Sequence, residues 1–148
     1  MSDQIQPWPV LRPGSRGHPV PALQYVLRDR GHAVTVDGTF GPGTEAAVES
    51  FQHADLLKID GIAGPRTWSA LVIVAVSGST GDAVRGVQEE FRFRDLSGEP
   101  GRALAVDGVF GPRTMAAVLG FQRALGVAAD GIVGPVTWRA LVSGMLSL

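Results

Sequence analysis

Asp37, Asp60, Asp107 and Asp130 each open the same motif, Asp-Gly-x-x-Gly-Pro-x-Thr. A carboxylate paired with a hydroxyl at fixed spacing could serve as acid and nucleophile. Recurrence argues against that use, because four equivalent copies suit a structural device better than a reaction centre. The Asp carboxylate can accept local backbone N–H groups, and Gly takes positive φ at no steric cost. Each copy therefore predicts a compact turn leading into a helix. The histidines, His18, His32 and His53, stand at no metal-ligand spacing, and the chain has no cysteine. Neither a metal centre nor a thiolate nucleophile is expected, and no cofactor. The chain reads as non-catalytic.

The four motifs are arranged in pairs. The first and second begin 23 residues apart, as do the third and fourth, and the whole pair recurs after 70 residues. Ala46-Ala47-Val48 with Phe51-Gln52 returns as Ala116-Ala117-Val118 with Phe121-Gln122. Thr67-Trp68 with Ala70-Leu71-Val72 returns as Thr137-Trp138 with Ala140-Leu141-Val142. The front halves match at an offset of 64, where Val20, Leu23, Gln24 and Leu27 align with Val84, Val87, Gln88 and Phe91. The difference places six extra residues within Arg92 to Ala105, whose Ser97-Gly98-Glu99-Pro100-Gly101 reads as an exposed loop. The expected organisation is an N-terminal extension over 1–10, a first repeat over 11–73 and a second over 74–148.

Each repeat predicts three helices. Val20, Leu23 and Leu27 lie at i, i+3 and i+7, with Pro19 and Pro21 in the first turn and Gly31 at the end. A second helix starts at Gly41-Pro42 and runs to about His53, and a short third one starts at Gly64-Pro65. The second repeat does the same from Asp82, Gly111-Pro112 and Gly134-Pro135. The stretches Ala33 to Val36 and Ala103 to Val106 could pair as a small strand or stay extended, and Val72 to Val76 is apolar enough to be buried between repeats. Two disulfide-free cores of about 65 residues would each be marginal alone. The expected fold is all-α: two tandem three-helix bundles packed together, with short extended segments in the loops.

Charge and hydropathy remove other classes. Thirteen basic against fourteen acidic residues leave a net charge of −1 without a basic stripe, so no nucleic-acid partner is expected. The longest apolar run, Ala70 to Val76, is far too short to span a bilayer, so no membrane partner is expected. The first eight residues have no basic start and no apolar core, and do not read as a secretory signal. That leaves cytoplasmic residence and export by another route both open.

The pattern Gly14-Ser15, Gly17, Val20, Leu23-Gln24, Asp37-Gly38, Phe40-Gly41-Pro42, Thr44, Ala47-Val48, Phe51-Gln52, Asp60-Gly61, Gly64-Pro65, Thr67-Trp68 and Leu71 resembles the three-helix peptidoglycan-binding domain. A second copy runs from Gly78 to Leu141. The resemblance implies a helical bundle and the binding of bacterial wall polymer. It departs from the usual pattern in leaving no room for an accompanying catalytic domain, and in placing Val76 where the first repeat has Arg12.

Wall polymer offers sugar faces and peptide carboxylates, which call for aromatic surfaces and cations such as Arg. The candidate ligand-binding residues are Asp37, Phe40, Arg66 and Trp68 in the first repeat, and Asp107, Phe110, Arg113 and Trp138 in the second. Trp68 and Trp138 share a face with Leu71 and Leu141, and Phe40 and Phe110 precede helix starts, so core packing competes for all four. Arg113 stands just inside a helix start, where a cation opposes the dipole, which favours a role outside helix stability. The rival reading is an intracellular adaptor that uses the same bundle to hold a protein partner. A contiguous apolar patch, or exposure of Met145-Leu146-Ser147-Leu148, would favour it.

Overall fold

The computed structural model describes residues 5–94 and 104–146. Six helices follow in order: α1 (Val20–Asp29), α2 (Pro42–Ala54), α3 (Pro65–Leu71), α4 (Asp82–Arg94), α5 (Pro112–Leu125) and α6 (Pro135–Val142). The expected insertion around Ser97 to Gly101 and the tail at Ser147 and Leu148 lie outside the described residues.

The Gly-Pro pairs start four of the helices. Gly41, Gly64, Gly111 and Gly134 are extended N-caps, and the following Pro takes the first helical position, where its missing N–H costs nothing. Gly31 ends α1 with φ +90°. At the ends of α2 and α5 the chain turns through the left-handed region. The second repeat places Gly126 there at φ +79°, whereas the first places Leu56 at φ +57° with its side chain 93% exposed. A leucine in that conformation is strained and gains nothing here from burial. Leu56→Gly is expected to raise stability by about 0.5–1 kcal/mol, read as a higher urea midpoint at unchanged m. Leu56→Ala keeps the β-carbon and should give no such gain.

Among the described residues no strand ladder forms. Ala33 to Val36 stays extended and unpaired, as do the described residues of the stretch ending at Val106. Four isolated antiparallel bridges appear instead, Leu11 with Ala63, Arg16 with Thr39, Ala75 with Val133 and Thr80 with Val109. The leading segment of each repeat thus clips onto both of its own Asp-Gly turns. This changes the expectation for Val72 to Val76. Val72 and Ala75 are buried, but Val74 and Val76 are exposed, because the Ala75 bridge holds the segment extended with neighbours on alternating faces.

The repeats share one core. α1 and α4 pack antiparallel through Ala22 and Gly86, which hold equivalent places in the two repeats. A β-carbon on Gly86 would meet Trp138 at 3.3 Å and Tyr25 at 3.5 Å, so the glycine sets the closeness of approach. At one end of this contact Asp29 Oδ2 accepts the Ala83 N–H at 2.7 Å, and Arg28 pairs with Asp82 at 3.3 Å. At the other end His18 lies 2.7 Å from the buried Glu90 and stacks on Phe93. Residues before the first repeat join both halves. Ile5 is buried, Trp8 stacks on Trp68 at 6.0 Å, and the Gln6 N–H reaches Met145 Sδ. Arg30 and its equivalent Arg94 each cap a third helix: Arg30 donates to the carbonyls of Ala70, Leu71 and Val72, and Arg94 to those of Leu141 and Met145.

Candidate binding grooves

A buried glutamine organises each Asp-Gly turn. Gln24, Gln52, Gln88 and Gln122 are 0–1% exposed, on the apolar faces of α1, α2, α4 and α5. For Gln52, Nε2 donates to Asp60 Oδ1 at 2.9 Å, Ile62 O at 3.0 Å and Thr67 Oγ1 at 3.1 Å. Its Oε1 accepts the N–H groups of Asp60 and Gly61. Gln24 repeats this on Asp37, Thr39, Thr44 and Gly38. Gln88 does so on Asp107, Val109, Thr114 and Gly108, and Gln122 on Asp130, Ile132, Thr137 and Gly131. One side chain thereby satisfies the turn and ties it to the buried Thr of the next helix.

The aspartates complete the turns. Oδ1 of each accepts the N–H two residues on, at 2.9–3.0 Å. That backbone donor, helped by the glutamine amide, holds the Asp37, Asp60 and Asp107 carboxyls below the usual carboxylate range. The motif Asp and Thr face structural partners: each threonine hydroxyl accepts the amide of its buried glutamine.

The candidate residues separate into two sets. Trp68, Trp138, Phe40 and Phe110 are 0–1% exposed, so their rings fill the core and offer no face on which a sugar could stack. Trp138 Nε1 donates to Ile73 O at 2.7 Å. Asp37, Asp107, Arg66 and Arg113 are exposed. Arg66 and Arg113 sit in the first turns of α3 and α5, and neither pairs with a carboxylate among the described residues.

Three grooves run over these turns. The first, ≈ 390 Å³, lies above the Gln52 turn between Leu56, Leu57, Lys58, Ile62, Pro65 and Arg66. The second, ≈ 420 Å³, lies above the Gln122 turn between Val127, Ala128, Ile132, Pro135 and Val136. The third, ≈ 340 Å³, lies above the Gln88 turn, walled by Leu104, Val109, Pro112 and Arg113. Each has a polar floor of Gln, Asp and Thr and a rim set by neighbouring positions. The grooves therefore bring together Arg66 with Asp60, and Arg113 with Asp107, and leave out the aromatic candidates and Asp37. Among the described residues no three His, Cys, Asp or Glu side chains gather as a metal site.

Comparison with known proteins matches the peptidoglycan binding domain family twice, over residues 16–71 and 80–141. The chain is 38% identical over 104 residues to the zinc D-Ala-D-Ala carboxypeptidase of Streptomyces albus G, covering 69% of this chain and 38% of that protein. It is 37% identical over 114 residues to the N-acetylmuramoyl-L-alanine amidase CwlM of Mycobacterium tuberculosis, covering 69% of this chain and 27% of that one. It thus spans well under half the length of these relatives. Among solved structures, the SleB N-terminal domain is 40% identical over 43% of this chain and 89% of that one, with a TM-score of 0.42.

Proposed function

We propose that this chain, which belongs to the peptidoglycan-binding domain family through both of its repeats, holds bacterial wall peptidoglycan in the grooves over its Asp-Gly turns and catalyses no step itself. The observation that carries the reading is the repetition of one groove architecture in both halves of a unit that shares one core. Weak, shallow sites gain by avidity when linked on one body and offered a polymer with repeating epitopes. The motif Asp and Thr side chains are engaged in turn geometry, which supports reading them as the scaffold of the grooves rather than as reacting groups. The named activities of the relatives belong to proteins of which this chain covers less than half.

Purified sacculi provide the test. The protein is expected to sediment with them, while an unrelated protein of similar size and charge stays in solution. Arg66→Ala combined with Arg113→Ala should weaken sedimentation several-fold without changing Tm, because both side chains are exposed and make no ion pair among the described residues. Sacculi incubated with the protein should release no soluble fragments. Failure of the wild-type protein to sediment at about tens of micromolar would overturn the reading.

One observation favours a second reading in which a protein partner is held. The Ala75–Val133 bridge sets Val76 across from Ile132, and with Val74 and Val136 these form exposed apolar surface continuous with the second groove. Loss of sacculus binding, with self-association or partner capture that Ile132→Asp abolishes, would support it.

A further inference from the structure

The first and second grooves occupy equivalent places, 70 residues apart, and share an identical floor of Gln, Asp and Thr. Their rims have opposite chemistry. Lys58 of the first is Ala128 in the second, and Arg66 is Val136. The Leu11–Ala63 bridge sets Arg12 across from Ile62, where the second repeat has Val76 across from Ile132. Two cations that line the first groove, and Arg12 beside the Ile62 of its wall, are thus replaced by apolar residues at the equivalent places of the second. A fourth difference is Leu56, held in a left-handed conformation with its side chain in solvent at the rim, where the second groove has Gly126. An exposed, strained leucine on a groove edge is a feature that folding does not explain.

From this rim we infer that the first groove is a carboxylate-selective subsite for short peptides, and that the second is not; the inference rests on the wall-binding reading and deepens it. The ligand class follows from the rim. Arg66 and Arg12 make no ion pair among the described residues, and both are exposed. Guanidinium groups placed so are matched by a carboxylate, to which they give charge-assisted bonds. Lys58 interacts with Asp60, helping to keep that carboxyl ionised, so it compensates the acidic floor against which an anionic ligand would otherwise be repelled. Glu45 and Glu49 lie against Gly61, outside the lining of the groove. Leu56 and Leu57 supply apolar contact beside the cations. The combination suits a peptide whose free carboxylate adjoins a small apolar side chain, as an alanine terminus does. The second groove, with Ala128 and Val136, would leave a carboxylate desolvated and unmatched.

The test is an amide-resolved NMR titration with diacetyl-lysyl-D-alanyl-D-alanine, with its C-terminal amide and with an uncharged N-acetylglucosamine tetramer. The free acid is expected to shift amides over 56–67 and to bind about tenfold more tightly than the amide, with the difference shrinking at high salt. The double variant Lys58→Ala/Arg66→Val should erase the preference. The reciprocal variant Ala128→Lys/Val136→Arg should move a share of the acid-specific shifts to residues 126–137. Equal binding of acid and amide, a preference for the tetramer in the first groove, or acid-specific shifts in the wild-type second groove would overturn the inference. Sacculus sedimentation separates it from the reading beneath. Wild-type protein that sediments but binds acid and amide equally retains wall binding and loses the subsite. Protein that prefers the acid at 56–67 but does not sediment retains the subsite and loses wall binding.

Discussion

Replacing Gln52 with methionine is expected to cost about 3 kcal/mol or more, a fall in Tm of about 6–12 °C for a chain of this length. Methionine matches the shape and flexibility of glutamine, so the cavity contribution is small. What is lost is five hydrogen bonds made by one buried amide. The groups left behind set the size of the effect. The Gly61 N–H and Thr67 Oγ1 are buried, and each loses its glutamine partner. Leaving a buried polar group unsatisfied costs about 1–3 kcal/mol, well above the net worth of an ordinary hydrogen bond. Thermal and urea unfolding would measure the change. Asp60→Ala, combined with Gln52→Met, should cost less than the sum of the singles, because both act through the same turn. A loss under about 1 kcal/mol would mean that the turn holds its shape without the glutamine.

The sequence made the helices legible for a local reason. Gly-Pro at four helix starts fixes N-cap and first-turn geometry within two residues, and the periodicity of Val20, Leu23 and Leu27 fixes the buried face. The Asp-Gly turns were legible for the same reason, since Oδ1 bonds an N–H only two residues away. The glutamines were visible as repeated residues, but their role was not, because Gln24 and Asp37 are thirteen residues apart in sequence and meet only through the fold. A signal existed: a glutamine on an apolar helix face ahead of every Asp-Gly motif. Arg30 and Arg94 were equally silent, since each caps a helix some forty to fifty residues away. The apolar character of Val72 to Val76 suggested burial between the repeats, and missed the bridge that turns alternate side chains outward. For the candidate site, the cations at Arg66 and Arg113 could be singled out from their position at helix starts. Their meaning depends on the groove walls, which Leu56, Lys58 and Leu104 supply from other parts of the chain.

Glu90→Ala is expected to have the second large effect, a loss of about 3–5 kcal/mol. Glu90 is 1% exposed and joins three elements. Its Oε1 lies 2.7 Å from His18 Nε2, just ahead of α1, and 2.8 Å from Arg94 Nη1 on its own helix. Arg94 then donates to Leu141 O and Met145 O at the end of α6 and lies 4.9 Å above the Phe121 ring. Removing the carboxylate leaves a buried guanidinium with carbonyls but no counter-charge, the costly half of a broken buried pair. Glu90→Gln keeps an acceptor at the same place and should cost less. Because the cluster lies at the α1–α4 contact, coupling between repeats should weaken as well as stability. Urea unfolding of Glu90→Ala should then broaden or split, with a lower apparent m, as the two halves cease to unfold together. In a double-mutant cycle, Glu90→Ala and Arg94→Ala should together cost at least about 1 kcal/mol less than their sum. Strict additivity would show that the two residues act separately. An unchanged single transition would place the coupling of the repeats in the Ala22–Gly86 contact and the shared apolar core instead.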